Sequence, residues 1–186
     1  MKMRALQAVL VLAVLWPTVS PHAGSTVEKR YRLPEHGYLQ MSVPATWDDD
    51  VRQPPGALPP TITLRPRQGK QFAVLVTPIW RARADVPPQT RDSLRQSVQQ
   101  AADRARGQAV EKTIKLVEFS GAAGSGFYFS ATDPAPKPDE FEFMTQGMVK
   151  VSELVMTFTI LTNRGQTQVA QDALAAIASA VHVEPR

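Results

Sequence analysis

Two neighbouring segments, Phe141 to Val151 and Leu154 to Thr162, have the strongest strand pattern in the chain and meet near Ser152. Successive side chains of a strand point to opposite faces of its sheet. In the second segment one face is apolar and consists of Leu154, Met156, Phe158 and Ile160. The other face is apolar or β-branched and consists of Val155, Thr157, Thr159 and Leu161. This pattern predicts an interior strand of a sheet that is covered on both faces.

Two amphipathic segments are predicted to form the helices that cover the sheet. One runs from about Thr90 to Arg106, just before Gly107, and the other spans about Gln166 to Val181. Each has one apolar stripe at steps of three and four residues, formed by Leu94, Val98, Ala101, Ala102 and Ala105 in the first and by Val169, Ala173, Leu174, Ile177 and Val181 in the second. A single stripe is typical of a helix that lies on a sheet, so we expect one helix on each face.

The remaining segments alternate short apolar runs with turn signals. Further strands are predicted at Tyr31 to Leu33, Tyr38 to Val43, Thr61 to Leu64, Gln71 to Thr77, Thr113 to Ser120 and Phe127 to Ala131. The segment Trp47 to Pro60 contains three Asp and four Pro residues and is predicted to be a loop. Hairpin-like spacings predict an α+β fold, with a mostly antiparallel sheet flanked by helices as an α/β/α sandwich, in a single domain at residues 24–186.

The N-terminal residues have the three parts of a secretory signal peptide. Lys2 and Arg4 precede an apolar run from Ala5 to Trp16, and small or polar residues follow as far as Ala23. The run is shorter than the roughly 20 residues that a membrane-spanning helix needs. We therefore expect a signal peptide at residues 1–23, a periplasmic or secreted protein, and no transmembrane segment after cleavage. An uncleaved N-terminal anchor is the alternative.

The chain contains no Cys residue, which excludes disulfides and an anchor attached through a lipidated Cys. Removal of 23 of the 186 residues would leave 163. A domain of that size buries about 70% of the surface that its unfolded chain exposes, so it can be stable without disulfides.

Core positions and turns spread over nearly all of the mature chain carry a family resemblance. They are Val43-Pro44 with Trp47 behind them, the glycine-bearing hairpin from Gly124 to Phe129, the strand from Phe158 to Asn163, and the closing helix. In these positions the chain resembles the PsbP-like α/β/α sandwich superfamily, which includes bacterial DcrB-like exported proteins. The resemblance implies a non-enzymatic binding or assembly module. None of the matching positions is a reactive group, so it implies no functional residue.

Metal and cofactor sites are not indicated. His36 and His182 are the only histidines after residue 23, whereas a zinc site needs three or four Cys, His or carboxylate ligands. The run Asp48-Asp49-Asp50 lacks the alternate ligand positions and central glycine of a calcium loop. We expect solvated surface residues at these positions, with no metal and no cofactor.

Candidate catalytic residues lack the patterns that their chemistry requires. Ser125 lies between Gly124 and Gly126, but the esterase elbow has the order Gly-x-Ser-x-Gly between a strand and a helix. The glycines are predicted to form a turn with positive φ angles. Glu140 and Glu142 are predicted on one face of a strand and could form an acid–base pair. We predict a protein that is not an enzyme; a hydrolase that uses Ser125 or the two glutamates is the alternative.

Positive charge is concentrated in one part of the chain. The 21 basic and 17 acidic residues give +4, and loss of Lys2 and Arg4 would leave 19 − 17 = +2. Residues 61–110 hold nine basic and three acidic residues, or +6, so the rest of the mature chain is −4. The candidate partner-binding residues in this stretch are Trp80, Arg81, Arg83, Arg91 and Arg95.

An aromatic side chain beside arginines can anchor an acidic protein partner or an anionic envelope surface. The small net charge of the mature chain argues against nucleic acid as the partner. The alternative is that Trp80 caps the core while the arginines are solvated.

Overall fold

A computed structural model of the chain describes residues 24–56, 58–81, 85 and 87–185. The predicted signal peptide at residues 1–23 and the candidate Arg83 lie outside the described residues. The described residues form ten strands and two helices in the order β1 (Thr26–Arg32), β2 (Tyr38–Pro44), β3 (Trp47–Arg52), β4 (Thr61–Pro66), β5 (Ala73–Ile79), α1 (Arg91–Arg106), β6 (Val117–Gly121), β7 (Gly124–Thr132), β8 (Phe143–Val151), β9 (Leu154–Thr162), α2 (Thr167–Ala178) and β10 (Val181–Val183).

The strands form two antiparallel sheets. Seven strands pair in the order β3-β4-β5-β9-β8-β7-β6, and three pair in the order β1-β2-β10. The α+β class with mostly antiparallel strands is confirmed, and β9 has a strand on each side as expected. The expectation of one sheet was wrong, because β1 and β2 pair with each other and with the last strand instead of joining the others.

The two helices pack on opposite faces of the seven-stranded sheet. In β9, Leu154 and Met156 belong to the apolar cluster that contains Ile177 of α2. Val155, between them, packs against the cluster that contains Leu94 of α1. Since neighbouring residues of a strand point to opposite faces, each helix covers a different face. None of the helices in the described part of the chain is both long and apolar enough to cross a bilayer.

The α2 face of the large sheet is closed by α2 together with the inner side of the small sheet. Buried residues of both sheets meet there, including Leu39, Met41 and Val43 from β2, Val74 and Val76 from β5, and Met156, Phe158 and Ile160 from β9. Residues of β9 and β5 that point the other way are only partly buried, including Thr157, Thr159 and Leu75. The α1 face is therefore less completely covered at these two central strands.

Helix α1 starts and ends close to where the sequence pattern places it. The Thr90 hydroxyl accepts a hydrogen bond from the Ser93 amide at 3.1 Å, and the Ser93 hydroxyl accepts one from the Thr90 amide at 2.9 Å. This reciprocal pair satisfies two amides that have no partner inside the helix. Gly107 follows the last turn. The buried stripe of Leu94, Val98 and Ala102 packs on Phe127 and Phe129 of β7.

The segment Trp47–Arg52 is a strand, so the prediction of a loop throughout Trp47 to Pro60 was wrong. Trp47 is buried in the core, and β3 pairs with β4 along its whole length. Asp49 points toward the small sheet, where it contacts the Lys29 ammonium at 2.5 Å. Pairing with a neighbouring strand outweighs the low strand propensity of Asp.

The last helix is shorter than predicted. It ends at Ala178, and Val181–Val183 forms β10 against β2. Val181, expected in the apolar stripe, is 36% exposed. The Ser179 hydroxyl accepts a hydrogen bond from the Ser42 amide of β2 at 2.8 Å. Strand β2 of the small sheet thus bonds to Ser179 directly after the helix and pairs with Val181–Val183, which therefore form a strand.

Candidate functional site

A mainly apolar pocket of about 270 Å³ lies between the first half of α1 and the adjacent ends of β5, β8 and β9. Its apolar walls include Ile79, Leu94, Met148 and Val155. The volume is just below the range of about 300–1,000 Å³ that is usual for small-molecule sites, and apolar walls with a few polar groups are typical of such sites.

The pocket exists because α1 presents small side chains toward β9. With 3.6 residues per turn, Ser97, Ala101 and Ala105 lie along one side of the buried stripe. Ser97 lines the pocket, and Ala105 lines a second concavity of about 240 Å³ at the other end of the helix. We call this side of the helix, with the adjacent residues of β8 and β9, the α1 groove.

Trp80 and Arg81, two of the residues named from the sequence, both line the pocket. The Trp80 ring is partly buried, packs against the core and stacks on His36 with ring centroids 4.4 Å apart. Arg81 is exposed and lies 3.9 Å from the Glu153 carboxylate. Trp80 therefore contributes to the core and to the pocket wall at the same time.

Arg91 lies on the other side of α1. Its guanidinium donates two hydrogen bonds to the Glu118 carboxylate of β6, at 2.9 and 2.6 Å, and lies 5.2 Å from the ring centroid of Phe127. These hydrogen bonds raise the pKa of Arg91 and lower the pKa of Glu118. The positive charge of Arg95 also favours ionised Glu118.

The described candidates thus divide into two places. Trp80 and Arg81 line the pocket, whereas Arg91 and Arg95 lie toward the β6 edge of the sheet. Arg83 lies outside the described residues. The four described candidates therefore do not form one group around Trp80.

The two histidines come together, but not as a pair of metal ligands. His182 Nε2 lies 2.7 Å from the backbone oxygen of His36, whose own ring stacks on Trp80. Asp48 and Asp49 do not form a metal-binding pair either, because they point to opposite faces of β3, where Asp48 contacts Arg67 and Asp49 contacts Lys29. The described residues contain no group of three or more His, Asp or Glu side chains placed to hold a metal.

Ser125 lies inside β7, opposite Ser120, so the prediction of a turn from Gly121 to Gly126 was wrong. The hairpin turn is formed by Ala122 and Ala123 alone. Gly126 has no positive φ, but a Cβ there would overlap the backbone oxygen of Met148. This glycine allows β8 to approach closely.

Glu140 and Glu142 precede β8, which begins at Phe143, so they do not share a strand face as predicted. Glu142 accepts hydrogen bonds from the Arg164 guanidinium, the shortest at 2.7 Å, and these raise the pKa of Arg164. Glu140 accepts one from the Lys137 amide at 3.0 Å. Each carboxylate thus has its own partner.

No protein-family model matches the chain, and no curated protein sequence matches it. The resemblance to the PsbP-like superfamily stays a prediction. What the chain can bind is consequently argued from the pocket itself.

The pocket residues that sequence reasoning missed include Ser97 and Lys150. Ser97 is a single polar residue beside an apolar helical stripe, and its neighbour across the groove cannot be read from the helix alone. Lys150 had a visible signal, because it follows Met144, Gln146 and Met148 on the same face of its strand. A charged side chain after Met148 on the same face of the strand indicates that this end of the face is accessible to water.

Proposed function

We propose that this protein is an exported, non-enzymatic binding module and that it binds its ligand in the pocket at the start of the α1 groove. One observation carries the proposal: a mainly apolar pocket with Trp80 in its wall lies beside a helix whose groove side carries small residues. Apolar walls favour an apolar ligand group, because its contact with water is removed on binding. Lys150 adds positive charge to the same pocket, whereas the charge of Arg81 is offset by Glu153 at 3.9 Å.

Export is supported by the charged, apolar and small-residue parts of residues 1–23. Mass spectrometry of the protein from the cell envelope and culture medium tests this proposal. A chain that begins after Ala23 is expected, and an intact chain that starts at Met1 and stays in the cytoplasm would contradict it.

The α/β/α sandwich and the PsbP-like superfamily are also proposed for this chain. They are supported by helices on opposite faces of one antiparallel sheet and by the matching core and turn positions. The three-stranded sheet that shares a face with α2 is an addition to the three expected layers.

The non-enzymatic role is supported by where the candidate catalytic groups lie. Ser125 shares the α1 face of β7 with Phe127, whereas His182 pairs with Leu39, whose side chain is in the cluster on the α2 face. The test is to assay the wild type on ester, peptide and glycan substrates beside Ser125→Ala and Glu142→Gln. Turnover that is lost in either variant would favour the hydrolase alternative.

The pocket is tested by filling it. Ser97→Trp places a large side chain in the pocket, whereas Gln96→Trp adds the same side chain at an exposed position of the same helix. The uncharged dye N-phenyl-1-naphthylamine, which fluoresces in apolar surroundings, is the probe. We expect the wild type and Gln96→Trp to bind the dye and Ser97→Trp to lose most of the binding. Equal binding by all three proteins would refute the pocket as the site.

A further inference from the structure

Lys150 is a partly buried lysine in the wall of the mainly apolar pocket. It is the next residue after Met148 on the α1 face of β8, and it pairs across the sheet with Val155. Both of these neighbours line the same pocket. The aliphatic part of the lysine side chain can extend along this apolar surface while its ammonium stays in contact with water.

Lys150 has no opposite charge of its own among the described residues. Of the other two charged side chains in the pocket wall, Arg81 and Glu153 lie 3.9 Å from each other, so their charges offset. The Lys150 ammonium forms no ion pair or hydrogen bond with any of the described residues. Lys29, which is also partly buried, contacts Asp49. A lysine that leaves water is ordinarily paired, so the unpaired positive charge of this partly buried pocket residue favours an anionic ligand group.

The other end of the α1 groove has the opposite charge. The second concavity, beside Ala105, is lined by Asp133 and Glu142 as well as by apolar residues. The charge of Glu142 is offset by the Arg164 guanidinium at 2.7 Å, so the negative charge at this end comes from Asp133. An anionic group is therefore favoured at the Lys150 end of the groove and disfavoured at the far end. This difference sets the direction in which a ligand with one charged end would lie.

We propose that the pocket binds a single-chain amphiphile with an anionic head group, the head group on the Lys150 ammonium and the apolar chain against Leu94, Met148 and Val155. This inference rests on the proposed function and adds the ligand class. A carboxylate and a phosphate share the required chemistry, since each accepts hydrogen bonds from an ammonium while bearing a negative charge.

The test is calorimetric titration of the purified protein with decanoate, decyl phosphate, 1-decanol and decyltrimethylammonium, each below its micelle concentration. We expect the anions to bind more tightly than the alcohol, and the cation to bind most weakly. Lys150→Met keeps an unbranched side chain as long as the aliphatic part of lysine and removes the charge. It is expected to weaken anion binding at least roughly tenfold, the lower end of the range for one charge-assisted hydrogen bond, and to leave 1-decanol binding unchanged. Lys115→Met, at an exposed lysine outside the pocket, is the control.

The possible outcomes separate this inference from the function on which it rests. If decanoate and 1-decanol bind equally and Lys150→Met changes neither, the inference is overturned, while dye binding that is lost in Ser97→Trp still supports the pocket. Binding of a hydrophobic peptide, without binding of any anionic amphiphile, also overturns it. Preference for decyl phosphate over decanoate supports it and assigns the head group as a phosphate. If no amphiphile binds, and the dye binds to Ser97→Trp as well as to the wild type, both proposals fail.

Discussion

Glu111 accepts two hydrogen bonds from Thr132, one from the backbone amide at 2.9 Å and one from the hydroxyl at 2.6 Å. Glu111 lies between α1 and β6, and Thr132 is the last residue of β7. The Val110 amide also donates to the Thr132 oxygen, at 2.9 Å. These contacts join the chain after α1 to the strand on which the helix packs.

Replacement of Glu111 by Gln is expected to lower stability in a way that depends on pH. Burial alone would raise the pKa of Glu111, but the hydrogen bonds from Thr132 outweigh burial and lower it. A lowered pKa in the folded state adds stability above the unfolded value of about 4.3, and this stability is lost as the pH falls through the folded value.

For this partly exposed pair we expect Glu111→Gln to cost about 1 kcal/mol at pH 7. The difference from the wild type should be smaller at pH 3 than at pH 7, because the stabilising ionised carboxyl is lost as the pH falls. Urea denaturation at the two pH values measures both quantities, with Glu184→Gln at an exposed position as the control. A cost that is the same at both pH values would contradict the assignment.

The contribution of Tyr31 to stability changes with pH in the opposite direction, and it does so at alkaline pH. Burial, followed by the negative charge of Asp49, raises the pKa of the Tyr31 hydroxyl above its ordinary value. A raised folded pKa adds stability that is complete below the unfolded value of about 10 and is lost as the pH rises further, because the unfolded chain releases its proton first. We expect Tyr31→Phe to lose less stability than the wild type between pH 9 and 11. Tyr38→Phe, at a residue that is 44% exposed, should follow the wild type in urea denaturation.

Gly147 has no room for a side chain. A Cβ at this position would lie 2.5 Å from the Phe127 backbone oxygen and 2.6 Å from Phe158 Cζ. The Phe158 ring is held edge-to-face against Phe119, with centroids 5.7 Å apart, so it cannot move away freely. We expect Gly147→Ala to lower stability by about 1–3 kcal/mol, the usual cost of overpacking a core. Gly107→Ala, where the nearest atom would be 3.8 Å away, should leave the melting temperature unchanged or slightly raised.

Ile177 tests the orientation of α2, because its side chain is 1% exposed and belongs to the core. An unpaired carboxylate at a buried position costs several kcal/mol, and Ile177→Asp is expected to remove about 4 kcal/mol or more of stability. Ala175→Asp puts the same charge on the exposed side of the helix and should melt near the wild-type temperature by circular dichroism. A normal melting temperature for Ile177→Asp would mean that α2 faces the other way.

The sequence alone determined the elements whose pattern lies within one segment. The alternation in Leu154 to Thr162 places alternate residues on two faces, and the stripe with its Thr90 and Gly107 ends defines α1. Trp80 and Arg81 were predicted as binding residues in the same way, as an aromatic and a basic residue beside a buried strand, and both line the pocket. Such signals depend on residues a few positions apart, which the backbone geometry of helices and strands relates directly.

Only the tertiary structure decided the features that depend on distant segments. The Asp-rich segment became β3 because β4 pairs with it, and Val181 joined a strand because β2 lies beside it. The pocket combines α1 with the ends of β8 and β9, and it includes Lys150 while Arg91 lies on the other side of the helix. Periodicity shows which side of a helix or strand is buried, but not which element it meets. That choice depends on packing and pairing between residues far apart in the chain, and these set the charge and shape of the site.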